Sequence, residues 1–102
     1  MDVEIVYFDG CPNWQLARQR VLEALTAVGR SDTAVRLHLV ENPTEAQEAG
    51  MHGSPTILVD GKDPFPKAAD DVWSCRLYQS DSGFEGAPSV SALVGVLRQV
   101  KA

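Results

Sequence analysis

Long apolar runs are missing from this sequence. No stretch of about 18 apolar residues occurs, and no positively charged start leads into an apolar segment. A soluble, cytoplasmic protein with no membrane partner is the expectation. An excess of basic residues is missing too. Nine Lys and Arg stand against fourteen Asp and Glu, a net charge of −5. No basic patch interleaved with aromatics is present, which argues against a nucleic-acid partner. Cysteine is scarce: Cys11 and Cys75 are the only two. That is too few to staple a secreted scaffold, and in a reducing compartment both are expected as thiols. The two histidines do not join them in the paired spacing of a four-ligand metal site. Repeats, low-complexity tracts and linkers are also absent, so the 102 residues are expected to form one domain. With 44% hydrophobic and 23% charged residues, such a chain can bury a continuous core.

What is present is a clear alternation of periods. Residues 3 to 8, VEIVYF, are rich in β-branched and aromatic types and predict a strand, stopped by Gly10 and Pro12. From Asn13 the spacing changes to three and four: Trp14, Ala17, Val21, Leu25 and Val28 form one stripe of a helix that Gly29 ends. Pro12 suits the first helical position, where its missing N–H is no loss. Val35, Leu37 and Leu39 alternate with Arg36 and His38, predicting a second strand with the three apolar residues on its buried side. Asn42-Pro43-Thr44-Glu45 has the form of a helix start, with Asn42 as N-cap, and Gly50 and Gly53 bracket its end. PTILVDG predicts a third strand closing at Asp60-Gly61, and CRLYQ, residues 75 to 79, a fourth. A last helix starts near Pro88, with Val90, Leu93, Val94, Leu97 and Val100 on its apolar face. The order βαβ-α-ββα implies an α/β fold: a four-stranded mixed sheet, parallel at its start through a right-handed crossover, with helices on both faces.

The chemistry-bearing stretch is FDGCPNW, residues 8 to 14, where a strand gives way to a helix. The start of a helix carries a partial positive charge of about half an elementary unit, which favours a thiolate over a thiol. Asp9 works in the other direction, and no cation is closer in sequence than Arg18. Cys11 is therefore the leading candidate nucleophile, set against a plain role as buried filler.

YFDGCPNW and GSPTILVDG, about 40 residues apart in this element order, make the chain resemble the thioredoxin-like superfamily over nearly its whole length. The resemblance implies a cis bond between Ser54 and Pro55, with Pro55 facing Cys11. It also implies that Ser54 offers backbone hydrogen bonds to an extended thiol partner, and that Pro12, Trp14, Ser54, Pro55 and Thr56 shape the groove. The implied activity is thiol–disulfide exchange or thiol capture, an oxidoreductase chemistry without a bound cofactor. Its partner would be a protein or a low-molecular-weight thiol. Relatives with C-x-x-C at this junction have a second cysteine where Trp14 stands, so CPNW is a monothiol variant and the intramolecular dithiol cycle cannot run within it.

Cys75 opens the fourth predicted strand. In the simplest topology the third strand runs away from Cys11 and the fourth returns, placing Cys75 at the far end. That exceeds the Cα separation of about 7 Å that a disulfide allows. If the connection over residues 62 to 74 folds back instead, Cys75 becomes a site partner. A second resemblance uses both cysteines. WSCRLY is similar to the run around the later cysteine of organomercurial (alkylmercury) lyases, which implies a soft metal such as mercury held by Cys11 and Cys75. Those enzymes place an Asp three residues after the first cysteine, where this chain has Trp14; Asp9 is a substitute acid by proximity alone. A third alternative is an interaction domain that kept the fold without the chemistry.

Other residues have plainer readings beside functional ones. His52 could steady a thiolate or be an exposed loop histidine, and His38 is expected at the surface. Trp14 is a core anchor or a platform beside the thiol, and Trp73 could pack the long connection onto the body. Asp63, Asp70 and Asp71 lack the calcium-loop pattern and read as a solvated acidic loop. GFEGAP lacks the lysine and spacing of a phosphate loop, so its glycines are expected to let the chain pass close to the thiol.

Overall fold

Five of the six residues of Val3–Phe8 are β-branched or aromatic, and they form the central strand β1. In the computed structural model, which describes residues 1–65, 73–80 and 83–100, the elements that follow are helix α1 (Asn13–Ala27), strand β2 (Val35–Val40), helix α2 (Pro43–Glu48), strand β3 (Thr56–Val59), a hairpin of β4 (Tyr78–Ser80) and β5 (Gly83–Glu85), and helix α3 (Val90–Gln99). The α/β order is the expected one, with β5 added.

β1 lies between its partners in the order β2-β1-β3. It runs parallel to β2, pairing Val3 with Val35 and Phe8 with Val40, and antiparallel to β3, pairing Ile5 with Ile57. Strand alternation then sorts the side chains. Val3, Ile5, Ile57 and Val59 face α1 and α3, which bury Ala17, Val21, Ala24, Leu25, Leu93 and Leu97 against them. Val6 and Leu58 face the other way and pack with Val40, Met51 and Ala46 of α2. Helices thus cover both faces.

The caps follow local chemistry. Asn42 Oδ1 accepts the Glu45 amide at 2.8 Å, Glu45 accepts the Glu41 amide in turn, and Pro43 at the start of α2 has no N–H to leave unpaired. Ser89 Oγ does the same for Ala92 at the start of α3. Pro12, expected at the first helical position, is instead the N-cap, and α1 starts one residue later at Asn13.

Two expectations are corrected. Among the described residues the main sheet has three strands rather than the expected four: β4 pairs with β5, and Cys75 lies outside the named strands, making an isolated parallel bridge to Ser54. Of the strand expected at residues 75 to 79, Tyr78 and Gln79 belong to β4, while the backbone around Cys75 bonds to Ser54 instead. The second correction concerns β2. Leu37 and Leu39 are not on a buried side but 43% exposed. β2 is the sheet edge, while α1 and α3 pack over β1 and β3, so the alternation of β2 has only Val35 to match to that core. Asp70 and Asp71 lie outside the described residues.

Candidate functional site

The site begins where β1 ends. Gly10 takes a left-handed conformation (φ 93°), and Cys11 follows as a buried residue with 1% of its surface exposed. α1 starts two residues later with no side-chain cap and no acidic residue in its first turn. Its unpaired amides therefore stay electropositive beside the thiol. Cys11 Sγ donates to the Ser54 carbonyl at 3.4 Å. The Ser54–Pro55 bond is cis, and Ser54, Pro55 and Thr56 are all buried. Ser54 Oγ accepts the Phe8 amide at 3.3 Å, stitching this turn to the end of β1. Thr56 Oγ1 donates to the Gly53 carbonyl at 2.6 Å and accepts the His52 amide at 2.9 Å, which braces the turn from inside.

Cys75 does not sit at the far end of the molecule. Its Sγ lies 3.2 Å from Cys11 Sγ, across 64 residues of sequence. The far-end expectation assumed a fourth strand returning beside β3. Instead the chain docks on Ser54: the Ser54 amide donates to the Ser74 carbonyl at 2.7 Å, and the Arg76 amide donates to the Ser54 carbonyl at 2.8 Å. Both backbone groups that Ser54 was expected to offer an outside partner are engaged by the chain's own residues. Gly53 makes this docking possible. A Cβ there would meet Arg76 Cβ at 2.8 Å and the Ser74 carbonyl at 3.4 Å.

A buried ion pair anchors the same segment. Arg76 donates to Asp63 at 2.6 Å, with side chains only 3% and 10% exposed, and to the Phe65 carbonyl at 3.2 Å. Its guanidinium lies 4.5 Å from the centre of the Tyr78 ring. Tyr78 donates its hydroxyl to the Pro55 carbonyl. Burial pushes the Tyr78 phenol far above its usual range, so it remains a neutral donor. Asp63 is thus part of a structural ion pair rather than a solvated acidic loop. Sequence reasoning gave Gly53 only the role of bracketing a helix end and gave Arg76 and Tyr78 no site role, because no local pattern links Arg76 to a carboxylate 13 residues away.

The two thiols differ. Cys11 is buried and Cys75 exposed. The hydrogen bond that Cys75 makes to Cys11, aided by partial burial and by the neighbouring Cys11 charge, holds the Cys75 thiol above the ordinary range.

The remaining candidates fall around this centre. Trp14 stacks on Tyr7 with ring centroids 4.7 Å apart and leans on the core of α1 and α3. Pro12 is exposed. Trp73 packs on Phe8 at 4.7 Å, tying the end of the 62 to 74 connection to β1. Asp9 is exposed, and its carboxylate accepts the adjacent Gly10 amide. It also lines a shallow pocket of about 280 Å³ with Leu39, Val40, Glu41 and Trp73. His52 is half-buried, and its ring has no hydrogen-bond partner among the described residues. His38 is at the surface, 2.9 Å from Glu4. Gly86 passes so close to Asn13, at the start of α1, that a Cβ would meet the Asn13 amide nitrogen.

Among the described residues no three or more His, Cys, Asp or Glu side chains gather as a metal site, and no helix is long and apolar enough to cross a membrane. Comparison with protein-family models, curated proteins and solved structures gives no match.

Proposed function

We propose that this chain is a thioredoxin-like domain whose Cys11 and Cys75 act together in thiol–disulfide exchange. The 3.2 Å separation of the two sulfurs carries the proposal. A dithiol cycle needs a second thiol that can attack a mixed disulfide in the same molecule. CPNW lacks one, and Cys75 supplies it from another part of the chain. Modest motion brings the sulfurs to bonding distance, so oxidation yields a Cys11–Cys75 disulfide and a substrate disulfide leaves as two thiols. The cis bond at Ser54–Pro55 beside the thiol and the electropositive start of α1 also support a thioredoxin-like assignment.

Oxidation by glutathione disulfide tests it. Intact mass should fall by about two hydrogens, with no thiol left to alkylate, in the wild type but not in Cys11→Ser or Cys75→Ser. Two thiols that stay fully alkylatable would instead fit an interaction domain without this chemistry.

Capture of a soft ion is a second use of the same pair. Two thiols 3.2 Å apart suit a two-coordinate thiophilic ion such as mercury(II), which would release two protons on binding. Equal, large losses of mercuric-ion affinity in both serine variants are expected. Cleavage of a carbon–mercury bond is not part of the proposal: Trp14 cannot protonate a carbon leaving group, and Asp9 holds its own backbone.

A further inference from the structure

We infer that the pair acts on small disulfides rather than extended polypeptides, with Cys75 the first sulfur to react and Cys11 the buried sulfur that completes the exchange. This rests on the joint-thiol proposal above and assigns its substrate class and order.

The order follows from access. Displacement at sulfur is in line, so the attacking thiol must meet the outside disulfide end-on. Cys11 has 1% of its surface exposed and lies beneath the segment that carries Cys75. Cys75 is exposed. It attacks R–S–S–R, forming Cys75–S–S–R and releasing one R–S⁻. Cys11 then attacks Cys75 Sγ from 3.2 Å away, forming Cys11–S–S–Cys75 and releasing the second R–S⁻. The protons of the two cysteine thiols end on the two leaving thiolates. The protein dithiol loses two electrons and the outside disulfide gains them.

The substrate class follows from the backbone. A polypeptide held beside a thiol in extended form needs free N–H and C=O groups along an edge. Ser54 is the backbone in contact with Cys11, and its amide and carbonyl are bonded to Ser74 and Arg76. The carbonyl also accepts the Cys11 thiol. The segment is not free to swing away cheaply. Withdrawing it would pull Arg76 from Asp63, where both charges are almost fully buried, and Tyr78 from the Pro55 carbonyl. A small disulfide needs only the exposed Cys75 sulfur and none of these backbone groups.

The reduced wild-type protein is mixed in single turnover with glutathione disulfide, and separately with a linear ten-residue peptide carrying a mixed disulfide to glutathione. Formation of the Cys11–Cys75 disulfide is followed by acid quench and peptide mapping. The small disulfide should react at least about tenfold faster, and the earliest adduct should map to Cys75. In Cys11→Ser, reaction should stop at a glutathione adduct on Cys75, while Cys75→Ser should stay unmodified over the same time. Equal rates with the peptide would overturn the substrate class. A first adduct on Cys11 would overturn the order. Both results leave the joint-thiol proposal standing, whereas no intramolecular disulfide with either reagent removes that proposal itself. Mapping in the wild type reads the order even where a variant folds poorly.

Discussion

Gly53 occupies its position because two chains meet there. Its φ of 91° is one that residues with a Cβ rarely adopt, and the nearest neighbour of an added Cβ is Arg76 Cβ at 2.8 Å. Gly53→Ala therefore combines backbone strain with overpacking, each costing about 1–3 kcal/mol. A loss of about 2 kcal/mol or more is expected in urea unfolding, with faster alkylation of Cys11 as the covering segment lifts. A variant as stable as the wild type, with Cys11 still protected, would refute the role given to this close approach. Arg76 shows the same dependence on its surroundings. Next to Cys75 it has the sequence signature of a surface cation, yet its guanidinium is buried because Asp63, the Phe65 carbonyl and the Tyr78 ring surround it. Burial of a charge requires such compensation.

At the scale of elements, the short helix α2 is the most dependent on its ends. Six residues are too few to be helical alone. Asn42 satisfies one orphan amide, Pro43 removes another, and Ala46 anchors the helix to the face carrying Val6 and Leu58. Asn42→Ala should cost about 1 kcal/mol, read as a lower urea midpoint at unchanged slope, and Asn42→Ser or Asn42→Asp should restore most of it. No change in midpoint on removal of the Asn42 side chain would mean that burial of Ala46 alone holds the helix. α2 also bears on the thiols, since it leads through Met51 into the turn at residues 53 to 55. The hairpin of β4 and β5 has another role. It is separate from the main sheet, so it adds no edge to β3, and it carries Tyr78 inward to Pro55.

For the molecule as a whole, pH acts on stability through the docked segment. The Tyr78 phenol is raised in the fold, chiefly by burial, above an unfolded value of about 10. A raised acid favours its neutral form when folded, so its contribution is complete below about pH 10 and is lost as pH climbs beyond that. Cys75, also raised, adds a loss of the same sign beginning near pH 8.5. Thermal midpoints should hold between neutrality and about pH 8.5 and then fall, with Tyr78 supplying a slope of up to about 1.4 kcal/mol per pH unit above pH 10. Tyr78→Phe should lower the neutral midpoint through the lost bond to Pro55 and flatten the fall above pH 10. An unchanged alkaline slope in that variant would assign the effect elsewhere.

The sequence by itself determined the elements and one half of the site. Periodicity of two and of three to four residues is a local property of the chain, so β1, α1, β2, α2, β3 and α3 were legible. The Cys11-Pro12 junction was legible too, because a strand gives way to a helix there in neighbouring residues, while the cis bond at Ser54–Pro55 was expected only from the resemblance to thioredoxin-like proteins. Tertiary structure alone decided the other half. Whether Leu37 and Leu39 were covered depended on which strands the helices pack over. Whether Cys75 lay far from Cys11 or 3.2 Å from it depended on a segment held by Ser54, Gly53 and Asp63, none of which is its neighbour in sequence. Contacts of that range carry no local period, and their energy exists only once the chain has brought the partners together.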